Sequence, residues 1–307
     1  MTATRDPSGP AGGGGFEEHR PRLLGIAYRM LGEMQEAEDA VQDAYLRWEA
    51  ADRAAIAAPA AWLAKVVTNL CLNRLTSARA RRESYVGPWL PEPVPTGGGG
   101  APPLGPLETV QQRESVSLAL LTLMESLTPA ERAVFVLREA FGYTHREIGD
   151  VLEVSEAASR QLHHRARQRI GAAGGPAGPR YAPDTGHWRR LVERFLDAAA
   201  RGDVAALERL LAADVTAWSD GGGKATAARR PVVGRDRVLR YVLSLTRRAD
   251  GLEITIEEFN GGPAAVVRTG GEITVIAVLT IADDRVTGLF NVLNPDKLAL
   301  ARRALSR

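Results

Sequence analysis

Three stretches rich in Gly, Pro and Ala interrupt this chain, and no regular element can run through any of them. The first occupies residues 1–15 and includes Gly12 to Gly15; it offers almost nothing apolar to bury, so a disordered tail is expected. The second runs from about Gly87 to Pro106, with Gly97 to Gly100 in a row, and the third from Gly171 to Pro183. Between the breaks the hydrophobic period changes. Residues 16–84 and 107–171 carry apolar side chains at helical spacing. After Gly186 come a helix pair and then β-branched runs at Leu252 to Phe259, Ala264 to Arg268 and Ile273 to Ile281. The expected architecture is multidomain: all-α units over 16–84 and 107–171, an α+β unit over 186–307, and linkers at 85–106 and 172–185.

A length of 307 residues suits two or three such units. No apolar run reaches a membrane span, and the N-terminus lacks the basic-then-apolar order of a secretion signal, so a cytoplasmic protein without membrane contact is expected. Cys71 is the single cysteine and lies among Val66, Val67, Leu70 and Leu72. One thiol builds neither an internal disulfide nor a thiolate metal site, so it reads as a small core residue. Net charge is only +2, which confines any nucleic-acid surface to local patches. Lysine occurs only at Lys65, Lys224 and Lys297.

The sharpest local signal lies between Thr128 and Ile170. Thr128 with Pro129 and Glu131 is a capping box, with Pro where its missing N–H costs nothing. Thr144 with Glu147 is a second, opening a short helix whose apolar face is Ile148, Val151 and Leu152. Glu153-Val154-Ser155 makes a tight turn, and Ser155 caps a longer polar helix, which completes a helix-turn-helix. That last helix carries Arg160, Arg165, Arg167 and Arg169 with Gln161, His163 and His164, against one acid at Glu156. Cations at that density suit phosphates, and Gln or Arg near the N-terminal end reaches base edges in the major groove. A basic helix alone can be a solvated face; the capped helix and turn before it favour DNA binding. His163 and His164 have no acidic or cysteine neighbour in sequence, so no metal or cofactor is expected.

In the first unit Trp62, Leu63, Val66, Val67 and Leu70 form an apolar stripe. Lys65, Asn69, Asn73 and Thr76 line another face, and Arg74, Arg79, Arg81 and Arg82 make a basic end. An amide stripe ending in arginines suits a displaced single strand; the bland alternative is a surface helix with a charged end. Glu38, Asp39 and Asp43, set between Ala37, Val41 and Ala44, are either a solvated face or a one-sided docking surface.

These residues resemble a known family. Glu125-Ser126-Leu127-Thr128-Pro129-Ala130-Glu131-Arg132 and the helix-turn-helix are similar to region 4 of extracytoplasmic-function sigma factors. Ala37-Glu38-Asp39-Ala40-Val41-Gln42-Asp43-Ala44-Tyr45 resembles region 2.2, and Pro59-Ala60-Ala61-Trp62-Leu63 through Arg82 resembles regions 2.3 and 2.4. The resemblance implies that Glu38, Asp39, Gln42 and Asp43 bind the β′ clamp helices of core RNA polymerase. It implies that Lys65, Asn69, Asn73, Arg74, Arg79, Arg81 and Arg82 hold the single-stranded −10 promoter element. It assigns the −35 element to Ser155, Arg160, Gln161, His164, Arg165 and Arg167. Two positions depart from the pattern: Glu153 stands where the turn commonly carries glycine, and Ser159 where an apolar residue is usual. The linker suits the task, because promoter elements more than one DNA turn apart lie more than ~34 Å from each other. About 25 extended residues reach at most roughly 80–90 Å.

The third unit, from Gly186 to about Leu298, resembles the SnoaL-like, ketosteroid-isomerase-like cone fold of the NTF2 type. The sigma-factor subclass with this extension has three signatures, present here as Trp89-Leu90-Pro91-Glu92-Pro93, Asp220-Gly221-Gly222-Gly223-Lys224 and Asn294-Pro295-Asp296-Lys297-Leu298. The resemblance implies that this unit contacts the linker or region 2 and tunes polymerase binding in cis. The glycine-rich turn is on its own more often merely structural. Asp214, Asp220, Asp236, Tyr241 and His187 are residue types an isomerase uses, but their spacing singles out no acid/base pair, and no enzyme is expected. The cone either takes a small apolar ligand or is filled by side chains. The rival function is a helix-turn-helix regulator that works without polymerase and carries a ligand-binding or isomerase-like C-terminal domain.

Overall fold

The structure is a computed structural model that describes residues 15–97, 104, 110–172, 185–246 and 251–306. The expected tail and the linker at 172–185 lie almost wholly outside the described residues, as do Gly98 to Gly100. The first unit is three packed helices, α1 (Phe16–Leu31), α2 (Met34–Ala50) and α3 (Pro59–Glu83). Leu23, Ile26 and Met30 meet Ala37, Val41, Ala44 and Trp48 and the stripe Leu63, Val67 and Leu70. Cys71 is fully buried in that core, and burial pushes its thiol up to about 12, which leaves it inert. At Gly32 the backbone turns left-handed (φ 76°), and its N–H closes α1 on the Tyr28 carbonyl.

The second unit has α4 (Val110–Glu114), α5 (Leu118–Leu123), α6 (Pro129–Phe135), α7 (His145–Leu152) and α8 (Glu156–Ala172). Both capping boxes form as the sequence predicts, with Thr128 and Glu131 closing on each other and Thr144 and Glu147 doing the same. After Phe135 the helix widens into a π-type turn over Val136–Ala140. The two helical units do not keep separate cores. Leu121, Met124, Val134, Leu137, Ile148 and Val151 belong to the same buried cluster as α1–α3, with α3 against α6 and α7. Apolar surface on α3 finds its cover in the second unit, so in this conformation the two helical units pack together.

The third unit begins with α9 (Thr185–Arg201) and α10 (Val204–Leu210). Then follow β1 (Leu211–Asp220), β2 (Val232–Val233), α11 (Arg235–Thr246), β3 (Leu252–Phe259), β4 (Gly262–Thr269), β5 (Glu272–Ala282), β6 (Arg285–Val292) and α12 (Ala299–Leu305). The sheet order is β2-β1-β6-β5-β4-β3, with β1 parallel to β6 and the other neighbours antiparallel. Alternation of side chains gives the sheet two apolar faces. Ala217, Leu279 and Leu289 lie under Leu191, Val192, Phe195, Leu207 and Val238 of α9–α11. On the other face Phe259, Ala264, Val266, Ile276, Val278, Phe290 and Val292 are covered by Leu298 and Ala301, by half-buried Ala119 of α5, and by two further residues from outside the unit. Those two are Leu90 of the linker and Leu118 of α5, both fully buried.

Candidate nucleic-acid interface and the docked linker

On α2 the buried residues Ala37, Ala40, Val41 and Ala44 turn Glu38, Asp39 and Gln42 to the opposite, exposed face. Asp43 instead turns toward α3, where Arg74 donates to it at 2.7 Å and to Glu36 at 3.2 Å. The polar stripe of α3 is likewise occupied. Lys65 pairs with Glu153 of the helix-turn-helix turn at 3.0 Å, and Arg82 pairs with Glu125 and donates to the Leu31 carbonyl at 2.5 Å. Asn73 is exposed and Asn69 half-buried; the side chains of Arg79 and Arg81 lie outside the described ones. The basic end of α3 that the sequence offers for single-stranded DNA is thus partly neutralised by internal acids. Against the face bearing Trp62 and Lys65 lies an open cleft of about 650 Å³, bounded across from them by Tyr143, Glu147 and Asp150.

In the helix-turn-helix the two departures have physical explanations. Glu153 adopts the left-handed conformation itself (φ 57°), a state that costs a non-glycine residue ~1–2 kcal/mol, and its carboxylate reaches Lys65. Ser159 is fully buried, but its hydroxyl meets His145 Nδ1 at 3.1 Å, so it is not an orphaned polar group. Nothing local in the sequence marks His145, fourteen positions away, as its partner. Ser155 accepts from the Ala158 amide at 3.1 Å and caps α8. Arg160 bonds Glu156 one turn back, while Gln161, His164 and Arg167 are exposed on the same helix. Arg165 and Arg169 both reach the buried Glu131, at 3.2 and 2.5 Å, which fastens α8 to the start of α6. Burial acts to raise that carboxyl, but the Thr128 amide and hydroxyl and the two arginines hold it below its ordinary range. His163 sits at 2.7 Å from Glu139, the acidic partner that local sequence did not offer.

The three signatures converge on one buried carboxylate. Asp220 accepts from the Leu90 amide (2.9 Å), the Tyr85 hydroxyl (2.6 Å) and Lys297 Nζ (2.8 Å). Lys297 also donates to the Leu90 carbonyl (2.5 Å), and Asn294 Nδ2 donates to the Tyr85 hydroxyl (2.8 Å). Burial pulls the Lys297 ammonium below its usual range and Asp220 opposes that shift. Lys224 and Asp296 pair at the exposed rim, at 2.5 Å. Gly222, at φ 59°, packs so tightly that a Cβ there meets Asn294 at 2.4 Å and the Tyr85 hydroxyl at 2.9 Å. Gly221 is buried, and Gly223 lies against Val86.

The linker itself is docked rather than spanning. Trp89 lies between two cations, with Arg82 3.6 Å and Lys297 4.2 Å from its ring, and its indole N–H donates to Glu33. Pro91 and Pro93 are buried. The Glu92 carboxylate accepts from the Met34 amide at 2.7 Å, where α2 has no cap of its own. Its carbonyl accepts from Tyr28, and Pro95 bridges Phe259 at the edge of the sheet.

The isomerase-type residues do not converge. Asp220 is in the node just described, His187 pairs with Asp284 at the surface, Tyr241 bonds Ser219 at 2.7 Å, and Asp214 and Asp236 are exposed. Between the sheet and α9–α11 the interior is packed with Leu191, Phe195, Val238 and Leu289, while on the opposite face Trp218 stacks on Phe290 at 4.7 Å. Among the described residues no group of His, Cys, Asp and Glu is placed to hold a metal, and no helix is long and apolar enough to cross a membrane.

Comparison with known proteins agrees with this geometry. Residues 16–81 match the profile of sigma-70 region 2, residues 117–170 that of sigma-70 region 4, and residues 192–289 that of the SnoaL-like domain. The sequence is 39% identical over 292 residues to the extracytoplasmic-function RNA polymerase sigma factor SigJ of Mycobacterium tuberculosis, covering 92% of this chain and 91% of that one. It is 30% identical over 294 residues to the probable sigma factor SigI of the same organism, covering 94% and 96%. The crystal structure of Mycobacterium tuberculosis SigJ superimposes with a TM-score of 0.74 at 36% identity, over 92% of this chain and 96% of that one.

Proposed function

The chain belongs to the extracytoplasmic-function RNA polymerase sigma factors with a C-terminal SnoaL-like domain, and from that premise we propose that its third unit controls initiation in cis by clamping regions 2 and 4 through the linker. Core polymerase docks on α2 through Glu38, Asp39 and Gln42, joined by Asp43 when Arg74 releases it. Single-stranded −10 DNA runs along Lys65, Asn69, Asn73, Arg74, Arg79, Arg81 and Arg82. The −35 duplex takes α8 at Ser155, Arg160, Gln161, His164, Arg165 and Arg167.

Lys65, Arg74 and Arg82 are held by Glu153, by Glu36 with Asp43, and by Glu125, so phosphate must displace a carboxylate already in place. Reading two elements more than ~34 Å apart also requires regions 2 and 4 to leave their shared core. The linker has the length for that separation once it undocks. The observation that carries the proposal is Asp220, which gathers both ends of the Tyr85–Leu90 stretch of the linker and the last signature on one buried carboxylate. The region 2 match weighs against a regulator that works without polymerase. The third unit acts as a clamp rather than an enzyme, and the protein works where polymerase is, in the cytoplasm.

The test is reconstituted transcription with core polymerase, comparing the full chain with a form ending near Gly175 on a promoter obtained by binding-site selection. A change in promoter output on truncation is expected. Identical transcription from both forms overturns control in cis.

A further inference from the structure

The β3–β4 hairpin turns at Asn260-Gly261, and turn tips of this kind normally face solvent. Here Asn260 is only 2% exposed and sits in the left-handed region at φ 50°. Each polar atom of its side chain has a partner in another part of the chain. Oδ1 accepts from the Val94 amide at 2.9 Å; Nδ2 donates to the Tyr28 hydroxyl at 2.7 Å and to the Val116 carbonyl at 2.8 Å. Its backbone N–H donates to the Val94 carbonyl at 2.9 Å. Tyr28 lies on α1 in region 2, Val94 in the linker and Val116 in the second helical unit between α4 and α5, immediately before the residues that match region 4. Next to it, Gly261 presses on Arg113, so that a Cβ would meet the Arg113 Cα at 2.9 Å and its carbonyl oxygen at 3.0 Å. One amide therefore ties both promoter-reading regions and the linker to one hairpin. It lies outside all three signatures.

We propose that Asn260 is the positioning residue that fixes the separation of regions 2 and 4, independently of the Asp220 node. The inference rests on the third unit acting in cis and adds a division of labour. The Asp220 node grips the linker at Tyr85 and Leu90, and the hairpin tip holds by hydrogen bonds the segment leading into region 4, beside the apolar contact at Leu118. Releasing the tip removes that polar tie and leaves the core shared with region 2, and Leu118 under the sheet, to hold region 4. The side-chain chemistry suits this role. Asparagine supplies one acceptor and two donors in one plane, whereas aspartate keeps the acceptor for Val94 and loses both donors.

The experiment uses the full chain with fluorophores at Glu18→Cys on α1 and Gln168→Cys on α8, both exposed, with the native Cys71 buried and unlabelled. Energy transfer is compared for the parent, Asn260→Asp, Asn260→Ala, Tyr28→Phe and Asp220→Asn, each checked for a cooperative thermal transition. Both Asn260 variants are expected to shift the distance distribution to longer, broader values. Tyr28→Phe, which removes one hydroxyl and keeps the ring, is expected to shift it part of the way. On promoters with altered spacing between the two elements, the Asn260 variants should lose the parent's spacing preference, a readout that lower stability alone does not move. Folded Asn260 variants with the parent's distances and spacing preference overturn the proposal. If they fail to fold, Tyr28→Phe decides by the same two readouts. Failure of the in-cis reading is separate, since it shows as unchanged transcription on truncation whatever the distances do.

Discussion

At the scale of single residues, charge in unusual surroundings separates regulation from mere packing. Glu92 caps α2 from the linker, yet burial pushes its carboxyl up to about 7; the Met34 amide pulls the other way, while Glu33 adds to the rise and Lys297 lowers it. A carboxyl raised above its unfolded value of 4.5 stabilises the docked state fully below that value and loses the contribution as pH rises through about 7. Docking should therefore weaken between about pH 5 and pH 8, by on the order of 2–3 kcal/mol. Thermal unfolding of the full chain across that range measures it, and Glu92→Gln should flatten the dependence. A wild-type profile already flat would count against Glu92 as the titrating group. Trp89 to Pro93 stands out in the sequence as a signature of the resembled subclass. That its glutamate ends at a bare helix terminus was not legible there, because nothing local to Glu92 points to Met34.

At the scale of elements, local chemistry predicted most of what forms. Both capping boxes, the turn before α8, and the runs that became β3, β4 and β5 were readable from periodicity and caps. β1 was not, since Leu211–Asp220 opens with helix-forming Leu and alanines, and pairing with β6 overrides that preference. Gly149 shows how tightly the helix-turn-helix closes: its carbonyl accepts from the Val154 amide, and a Cβ on it would meet the Val154 carbonyl oxygen at 2.7 Å. Gly149→Ala should cost about 1–3 kcal/mol by overpacking a turn whose backbone has nowhere to move. It should also weaken binding to the −35 duplex more than binding to core polymerase. Parallel titrations of the variant against each partner check this, and equal losses would place the fault in global folding.

At the scale of the molecule, the third unit does not cover its own sheet. Leu90 and Leu118 come from outside it and lie in one buried cluster with Phe259, Val266, Ile276 and Phe290. A fragment of residues 186–307 alone should therefore present an apolar face and self-associate, which light scattering on a sizing column would reveal. A clean monomer with unchanged melting would mean that α12 suffices as a cover. The same dependence explains why the linker is docked: undocking it uncovers apolar surface on the third unit and on region 2 together.

Sequence alone determined the modules, their order, the helix-turn-helix, the sigma-factor resemblance and the three signatures, because caps, turns and hydrophobic period act over a few residues. Only the tertiary structure decided that both helical regions share one core, that Asp220 gathers the signatures, and that Asn260 joins region 2, the linker and region 4. Those contacts link residues tens to hundreds of positions apart in the chain, from 77 for Asp220 and Lys297 to 232 for Tyr28 and Asn260. A sequence marks which face is apolar or polar, but the partner of that face is chosen by the packing of the whole chain.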